Sequence, residues 1–419
     1  MIQKTILFFT LLVTISNYGQ KQQASPYSFF GIGNNFASKT VEENTMGGIG
    51  TALSTPGNLN FSNPAALSSL SFTCYSVGVI NTTNQVRDQN TTQKSSIFSL
   101  SYFGLGVPLG NKGGIIAGLR ARSGVGYTIS ATDKENPYKT YAFEGSGGAS
   151  SLFISGGYEV LKGFSLGLEA SFLFGSIEHV VTEEQSNITY DSRERSNSAL
   201  KGLETKIGLL YALKIGKTKN LNIGLTLANS SEINVTETSV FYKGFFSDDS
   251  ESIKLTLDPV TVYGTVVNPL NTTVAIAYGN RSKWQTSFEY SFNEAQSYIG
   301  ETLINNTRGV VYSAYSRMSF GGYYIPKFNS LTNYFQRVVY RYGFKYENTG
   351  MELQGEELND LGISFGVGLP LGKGLTYLNL GVEYGVKGKT SYALVEEKYF
   401  NVRMSRSLGD KWFRKRKIN

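Results

Sequence analysis

The sequence predicts an all-β protein, a 14-stranded antiparallel transmembrane β-barrel with an N-terminal hatch segment in its lumen. Three observations support this prediction: apolar residues alternate with small or polar ones over long stretches, short and long polar connections alternate along the chain, and charged residues are scarce. Of 419 residues, 47 are glycine, 13 % are aromatic and only 17 % are charged. Soluble globular proteins carry roughly 25 % charged residues, so the composition indicates a sheet in contact with lipid.

Alternation with a period of two defines the strands. Apolar residues fill every second position of residues 164–174, 361–371 and 378–386, and the positions between them hold mostly Gly, Ser, Asn or charged residues. Strands of soluble sandwiches average about 5–6 residues. Outer-membrane strands run about 9–11 residues or more and present small polar side chains to the lumen. The long stretches therefore favour a barrel.

Polar connections give the number of strands. Six short turns alternate with seven longer polar segments, which predicts fourteen strands and a barrel domain of residues 70–410. The longest polar segment covers residues 231–269 and is predicted to be an outer loop. Short turns are periplasmic in such barrels, so we expect both chain termini on the periplasmic side of a bacterial outer membrane.

Three segments lie outside the predicted barrel. Residues 1–19 form a predicted signal peptide, in which Lys4 precedes an apolar run of 11 residues that is too short to span a bilayer as a helix. Residues 20–69 are rich in Gly and Asn without a strand period, and we expect them to plug a lumen too wide for strand side chains to fill. Residues 411–419 form a predicted basic periplasmic tail.

Several kinds of site are excluded by composition. One cysteine (Cys74) and one histidine (His179) cannot form a disulfide or a Cys/His zinc site. His179 is predicted to be solvated at the barrel rim, and the chain has neither a Gly-x-Ser-x-Gly elbow nor a phosphate-binding loop. Asp248, Asp249 and Glu251 are interpreted as ordinary loop charges. We expect no enzymatic activity, cofactor or metal, and no nucleic-acid partner for an exported protein despite its net charge of +7.

Three N-terminal motifs carry a family resemblance. They are SPYSFFGIG at residues 25–33, MGGIGTA at residues 46–52 and NFSNPAAL at residues 60–67. Together they resemble the N-terminal hatch of the FadL-type (long-chain fatty-acid transporter) outer-membrane proteins. The resemblance implies a fourteen-stranded barrel plugged by the hatch. It also implies one of two roles, since many members carry hydrophobic molecules and others are non-transporting parts of outer-membrane machines. Two features depart from the family: six residues follow Trp412-Phe413, and no kinked strand that would open the wall can be placed.

The hatch motif contains the first group of candidate site residues. Glycines permit tight backbone packing beside strands, and proline fixes φ while disfavouring a helical conformation in the residue before it. The motif is open to two interpretations, a turn that only stabilises the plug or a gate for transport. The candidate residues are Gly47, Gly48, Gly50, Asn63, Pro64 and Ala65.

A second group of candidates lies in the predicted outer loop. Phe241, Tyr242, Phe245 and Phe246 lie beyond the predicted membrane-spanning part of the chain. Exposed apolar groups of this kind mark contacts with ligands or partner proteins. The alternative is a hairpin that packs on itself above the membrane.

We expect a plugged channel for uptake of hydrophobic small molecules, in contact with outer-membrane lipid. The alternative is a non-transporting FadL-type barrel that is a structural subunit of a larger outer-membrane protein secretion or assembly complex, with other outer-membrane proteins as partners. A third hypothesis, a membrane-embedded enzyme, lacks the necessary residues. An apolar lumen would favour transport, whereas a lumen blocked by charges and tight glycine packing would favour the structural subunit.

Overall fold

The structure is a computed structural model that describes residues 24–36, 39–89, 91–133, 136–246, 251–303, 309–371, 376–390 and 394–410. The predicted signal peptide and basic tail lie outside the described residues, as do Asp248 and Asp249. Within the described part of the chain, no helix is long and apolar enough to cross a membrane.

Strands dominate the described chain. The strand segments, in chain order, are β1 (Asn34–Asn35), β2 (Thr73–Arg87), β3 (Thr92–Leu109), β4 (Gly113–Thr132), β5 (Lys139–Leu161), β6 (Phe164–Gln185), β7 (Asp191–Ile215), β8 (Lys219–Ala228), β9 (Ser231–Phe246), β10 (Glu251–Thr256), β11 (Val260–Asn268), β12 (Asn271–Asn280), β13 (Trp284–Asn293), β14 (Ser297–Gly300), β15 (Val310–Tyr312), β16 (Tyr315–Tyr324), β17 (Val339–Leu353), β18 (Glu356–Leu371), β19 (Thr376–Lys387) and β20 (Glu396–Asp410). The short segment β1 belongs to the hatch and pairs with β4 inside the barrel.

The remaining segments form a closed barrel of fourteen antiparallel strands, as predicted. Four barrel strands consist of consecutive segments: β8 with β9, β10 with β11 and β12, β13 with β14, and β15 with β16. Closure comes from β2, which pairs with β20 from Thr73↔Asp410 to Arg87↔Glu396. A closed barrel leaves no strand edge exposed to lipid.

Lipid and lumen explain the alternation seen in the sequence. On β18, Leu361, Ile363 and Phe365 are 42–57 % exposed on the outside of the barrel, whereas Ser364 is 2 % exposed on the inside. The outer apolar faces therefore meet lipid, and the inner faces are small or polar.

The long outer connections are shorter than predicted. Residues 231–269 were expected to be a loop, but β9, β10 and β11 occupy most of them. The connection between β17 and β18 is only residues 354–355. Beyond the lipid-facing part of a barrel both faces of a hairpin meet water, so the apolar–polar alternation fades although Thr, Val and Tyr keep their preference for strands.

Four adjacent barrel strands are interrupted, a feature that the sequence did not reveal. The breaks fall at residues 229–230, 257–259, 269–270, 294–296 and 313–314. Beyond them, β14 pairs with β11 and β15 pairs with β17. The rings of Tyr298 on β14 and Tyr312 on β15 lie 4.8 Å apart. We call this place the tyrosine seam.

Residues 24–36 and 39–69 are the described part of the segment for which we expect a hatch, and they pack against inward-facing residues of the wall. This segment contains α1 (Val41–Asn44) and 3-10 turns at Pro26–Phe29 and Pro64–Ser69. One cluster joins hatch residues such as Phe61 to Tyr102 and Phe153 of the wall. Another joins Met46 and Ile49 to wall residues of β12, β16 and β17.

We predict that adding one methyl group to the lumen face of β5 destabilises the protein. A Cβ on Gly157 would overlap the Pro64 carbonyl oxygen, whereas a Cβ on the neighbouring Gly156 would have its nearest atoms at 3.8 Å. Gly157→Ala should therefore cost about 1–3 kcal/mol of stability, the usual range for overpacking. Heat modifiability of the purified barrel on denaturing gels measures this. Equal transition temperatures for Gly157→Ala and the control Gly156→Ala would contradict the tight packing.

Candidate functional site

The glycine loop of the hatch touches the barrel wall through its backbone. Gly47 and Gly48 have φ values of 70° and 80°, a region that favours glycine. The Gly47 amide donates to Ser364 Oγ at 3.0 Å, and its carbonyl accepts from Arg317 Nη2 at 2.9 Å. A Cβ on Gly47 would lie 2.6 Å from the Phe344 carbonyl oxygen. A larger residue would therefore push this loop off the wall.

The carboxylate of Glu289 holds the next residues of the hatch. Its side chain is 3 % exposed and accepts from the amides of Gly50 and Thr51, both at 2.9 Å. Lys39 Nζ lies 2.7 Å from the other carboxylate oxygen. A single buried wall carboxylate thus binds three hatch donors, and such charge-assisted hydrogen bonds are among the stronger ones in proteins.

The Asn63-Pro64-Ala65 step joins the glycine loop to the opposite wall. Asn63 Oδ1 accepts from the Ala65 amide at 2.9 Å and so caps the 3-10 turn. Asn63 Nδ2 donates to the carbonyls of Thr51 at 2.7 Å and Leu209 at 2.9 Å. Asn63 is fully buried, so its amide supplies hydrogen bonds that no water replaces.

Helix α1 carries two buried carboxylates. Thr40 and Glu43 form a capping box, and Glu43 also accepts from the Ser62 amide at 3.2 Å. Glu42 accepts from Asn379 Nδ2 at 2.8 Å. Burial raises the pKa of the Glu42 carboxyl, while the nearby Arg341 guanidinium acts in the opposite direction. The helix is therefore fixed by polar contacts as well as by Val41 in the core.

Further ion pairs line the lumen wall. Glu169 binds Arg120 at 2.6 Å and Lys206 at 3.2 Å. Lys345 lies 3.1 Å from Asp360 and 3.0 Å from Glu383, which also pairs with Arg403. One sign of these networks is visible in the sequence, because Glu169 and Glu383 interrupt the small-residue face of two strongly alternating strands. Their partners lie on other strands, so the pairing was not predictable from spacing.

A cavity of about 500 Å³ remains between the hatch and the wall. Its lining contains equal numbers of acidic and basic side chains. The acidic ones are Glu169, Glu204, Glu289, Glu294, Glu347, Asp360, Glu383 and Glu397, and the basic ones are Lys39, Arg120, Arg122, Lys206, Arg317, Lys345, Lys387 and Arg403. An apolar molecule here would have to displace water from these charges, which is costly.

The four aromatic residues of the predicted outer loop lie on strand β9. Phe241 and Phe245 are 43 % and 50 % exposed. Phe245 packs edge-on against Tyr190 with ring centroids 5.2 Å apart, while the Arg193 guanidinium lies 4.0 Å above the ring of Phe246. Tyr242 and Phe246 are partly buried. The set therefore splits, with Phe241 and Phe245 exposed and Phe246 covered by Arg193 of the neighbouring strand β7.

The structure corrects the position of His179. It was expected to be solvated at the rim, but it is 6 % exposed, and its Nδ1 lies 2.7 Å from the Tyr127 hydroxyl. The reason is that β6 runs up to Gln185, so the inward-facing register of Glu169 and Ser171 continues to this position. Glu251 pairs with Arg193. Among the described residues, no group of three His, Cys, Asp or Glu side chains is placed to hold a metal ion.

Comparisons with known proteins agree with this fold. The model of the BamG family matches residues 1–419, the whole chain. The structure is similar to the Ralstonia pickettii toluene transporter TbuX, with a TM-score of 0.60, 14 % identity and coverage of 88 % of this chain and 97 % of the other. It is also similar to a Pseudomonas aeruginosa FadL homologue, with a TM-score of 0.59, 10 % identity and coverage of 90 % and 99 %.

A third similar structure is the CymD monoaromatic hydrocarbon channel, with a TM-score of 0.57, 12 % identity and coverage of 90 % of this chain and 98 % of the other. No curated protein matches the sequence. At these identities the similarity establishes the fold alone, a barrel of FadL type.

We predict that Glu289→Gln loosens the hatch. The change removes the charge that binds Lys39 and leaves this partly buried ammonium without its carboxylate partner, at a cost of about 3 kcal/mol. The purified variant should show larger ion conductance in planar bilayers and faster proteolysis within the hatch. Glu178→Gln is the control, because Glu178 pairs with Arg195 at 3.3 Å where both side chains are about 40 % exposed and such pairs contribute little. Equal conductance of the two variants would contradict the role of Glu289.

Proposed function

Because the chain belongs to the BamG family, we propose that it is a non-transporting FadL-type barrel that serves as a structural subunit of a larger outer-membrane protein secretion or assembly complex. The closed and charged lumen is the observation that carries this proposal. In the same proposal, the hatch motif from Gly47 to Ala65 stabilises the plug and does not gate a pathway.

Across the residues that the structure describes, the contacts between hatch and wall leave an apolar molecule no dry route past the plug. The backbone of the glycine loop lies directly against β17 and β18, so a passage there requires the loop to leave the wall. Elsewhere the lumen is bordered by ion pairs such as Arg120–Glu169, whose side chains are both 4 % exposed. Separating buried pairs of this kind costs several kcal/mol for each ion left unpaired. Such a barrel is better suited to a structural role than to passage of apolar molecules.

A partner contact on the outer hairpin fits this role. Phe241 and Phe245 are exposed on β9. On β10 and directly after it, Ile253, Leu255 and Leu257 are 47–53 % exposed. Burying one such side chain contributes roughly 1.5–3 kcal/mol. We infer that another outer-membrane protein covers this surface, while lipid surrounds the barrel.

Uptake of hydrophobic small molecules is the second candidate function. The tyrosine seam favours it, because Tyr298 and Tyr312 stand where four strands are interrupted and approach Gly31 of the hatch. Two of the similar structures are a monoaromatic hydrocarbon channel and a toluene transporter, which is consistent with this second candidate.

We predict that Phe241→Ser with Phe245→Ser removes partner proteins from the complex. The tagged protein, purified from native membranes in mild detergent, should lose co-purifying outer-membrane proteins, and other surface proteins should decrease in the cells. Lys243→Ser is the control, because Lys243 is an exposed polar residue on the same strand. Uptake of toluene or a long-chain fatty acid should stay unchanged. A loss of uptake with all co-purifying proteins retained would contradict the structural role and favour transport.

We also propose that both chain termini are periplasmic, since the tight turns of residues 110–112, 162–163 and 216–218 lie at their end of the barrel. A cysteine at Lys254, in the outer hairpin, should react with a membrane-impermeant maleimide on intact cells, while one at Lys162 should react only after lysis. Native Cys74 is buried and gives a low background. Labelling of Lys162→Cys on intact cells, with none of Lys254→Cys, would reverse the orientation.

A further inference from the structure

One connection at the end of the barrel where β2 begins and β20 ends, which we call the terminal end, is longer than its neighbours. The described turns of residues 110–112, 162–163, 216–218 and 281–283 hold two or three residues, whereas β16 and β17 are joined by residues 325–338. This connection exposes large apolar side chains: Phe328 is 44 %, Leu331 101 % and Phe335 70 % exposed. Exposed apolar side chains clustered in this way indicate that the connection contacts another apolar surface.

The connection has a fixed shape. The Lys327 amide donates to the Gln336 carbonyl at 2.8 Å, and Asn333 Oδ1 accepts from the Phe335 amide at 3.0 Å to cap the 3-10 turn Tyr334–Arg337. Ile325 and Val338, at its two ends, are 5 % and 1 % exposed. The apolar side chains are therefore presented by a folded turn.

Hydrogen bonding places this turn on the lipid side of the wall. Tyr340 alternates with the inward-facing residues Val339 and Arg341, so it belongs to the outer face of β17. Its hydroxyl donates to the Phe335 carbonyl at 3.2 Å. Tyr324, the last residue of β16, is also 51 % exposed. The turn thus continues the lipid-facing surface.

We propose that residues 326–337 form a membrane anchor that inserts Phe328, Leu331 and Phe335 into the phospholipid leaflet at the terminal end of the barrel. Continuity with the outward tyrosines favours lipid over a protein partner, because Tyr side chains mark the level of the headgroups. Lys327 and Arg337 flank the aromatic residues, and cations in this position match headgroup phosphates. This inference does not depend on the proposed structural role.

Spin labelling measures the depth of the turn. Phe335→Cys and Leu331→Cys, each in a Cys74→Ser background, are labelled with a nitroxide in phospholipid vesicles. Oxygen concentrates in lipid and a nickel chelate stays in water, so their ratio of collision rates reports depth. Both sites should give ratios several-fold above that of Lys162→Cys, in a short turn at the same end, and approaching that of Phe320→Cys on the lipid face of β16.

Two results would overturn the anchor. One is a water-like ratio at both Phe335 and Leu331, equal to that of Lys162. The other is a water-like ratio for the purified protein in vesicles together with loss of collisions with both oxygen and the nickel chelate in the native complex. That result would show that a protein partner covers the turn.

Discussion

The buried carboxylate of Glu289 is the interaction on which the rest of the structure depends. It projects from the wall into the lumen and accepts hydrogen bonds from Gly50 and Thr51 while it pairs with Lys39. These residues border the glycine loop, so the same contact positions Gly47 against β17 and β18. The three donors together offset the desolvation cost of burying this carboxylate. Because the donors belong to the hatch and the carboxylate to the wall, folding of the hatch and closure of the barrel depend on each other.

The remaining contacts of the hatch extend this constraint across the lumen. Asn63 connects Thr51 to Leu209 on β7, and Glu42 connects α1 to Asn379 on β19. The plug is therefore held by several strands at once, and its polar side completes a lumen whose charges are balanced. A plug held by several strands supports the proposal of a structural subunit, and it leaves the hairpin and the rims as the surfaces for partners and lipid.

Much of the barrel could be predicted because contact with lipid imposes a two-residue period of apolar side chains on its strands. Leu361, Ile363 and Phe365 must face lipid, so their alternation with small residues was visible in one sequence. The hairpin of β9 was missed because water on both faces removes that signal. The inward position of His179 was missed because the alternation of apolar and small residues in the sequence weakens near the end of β6. The ion pairs of Glu169 and Glu289 join residues distant in sequence, and only the fold brings them together.

Hydrogen–deuterium exchange of the purified protein tests the central claim most directly. If the hatch and the barrel form one unit, the amides of Gly50 and Thr51 should exchange as slowly as those in the middle of β13 and β18, and they should open together with them. Exchange of the hatch amides orders of magnitude faster than the barrel amides, in a protein that keeps its barrel intact, would show a plug that moves independently and would contradict the account.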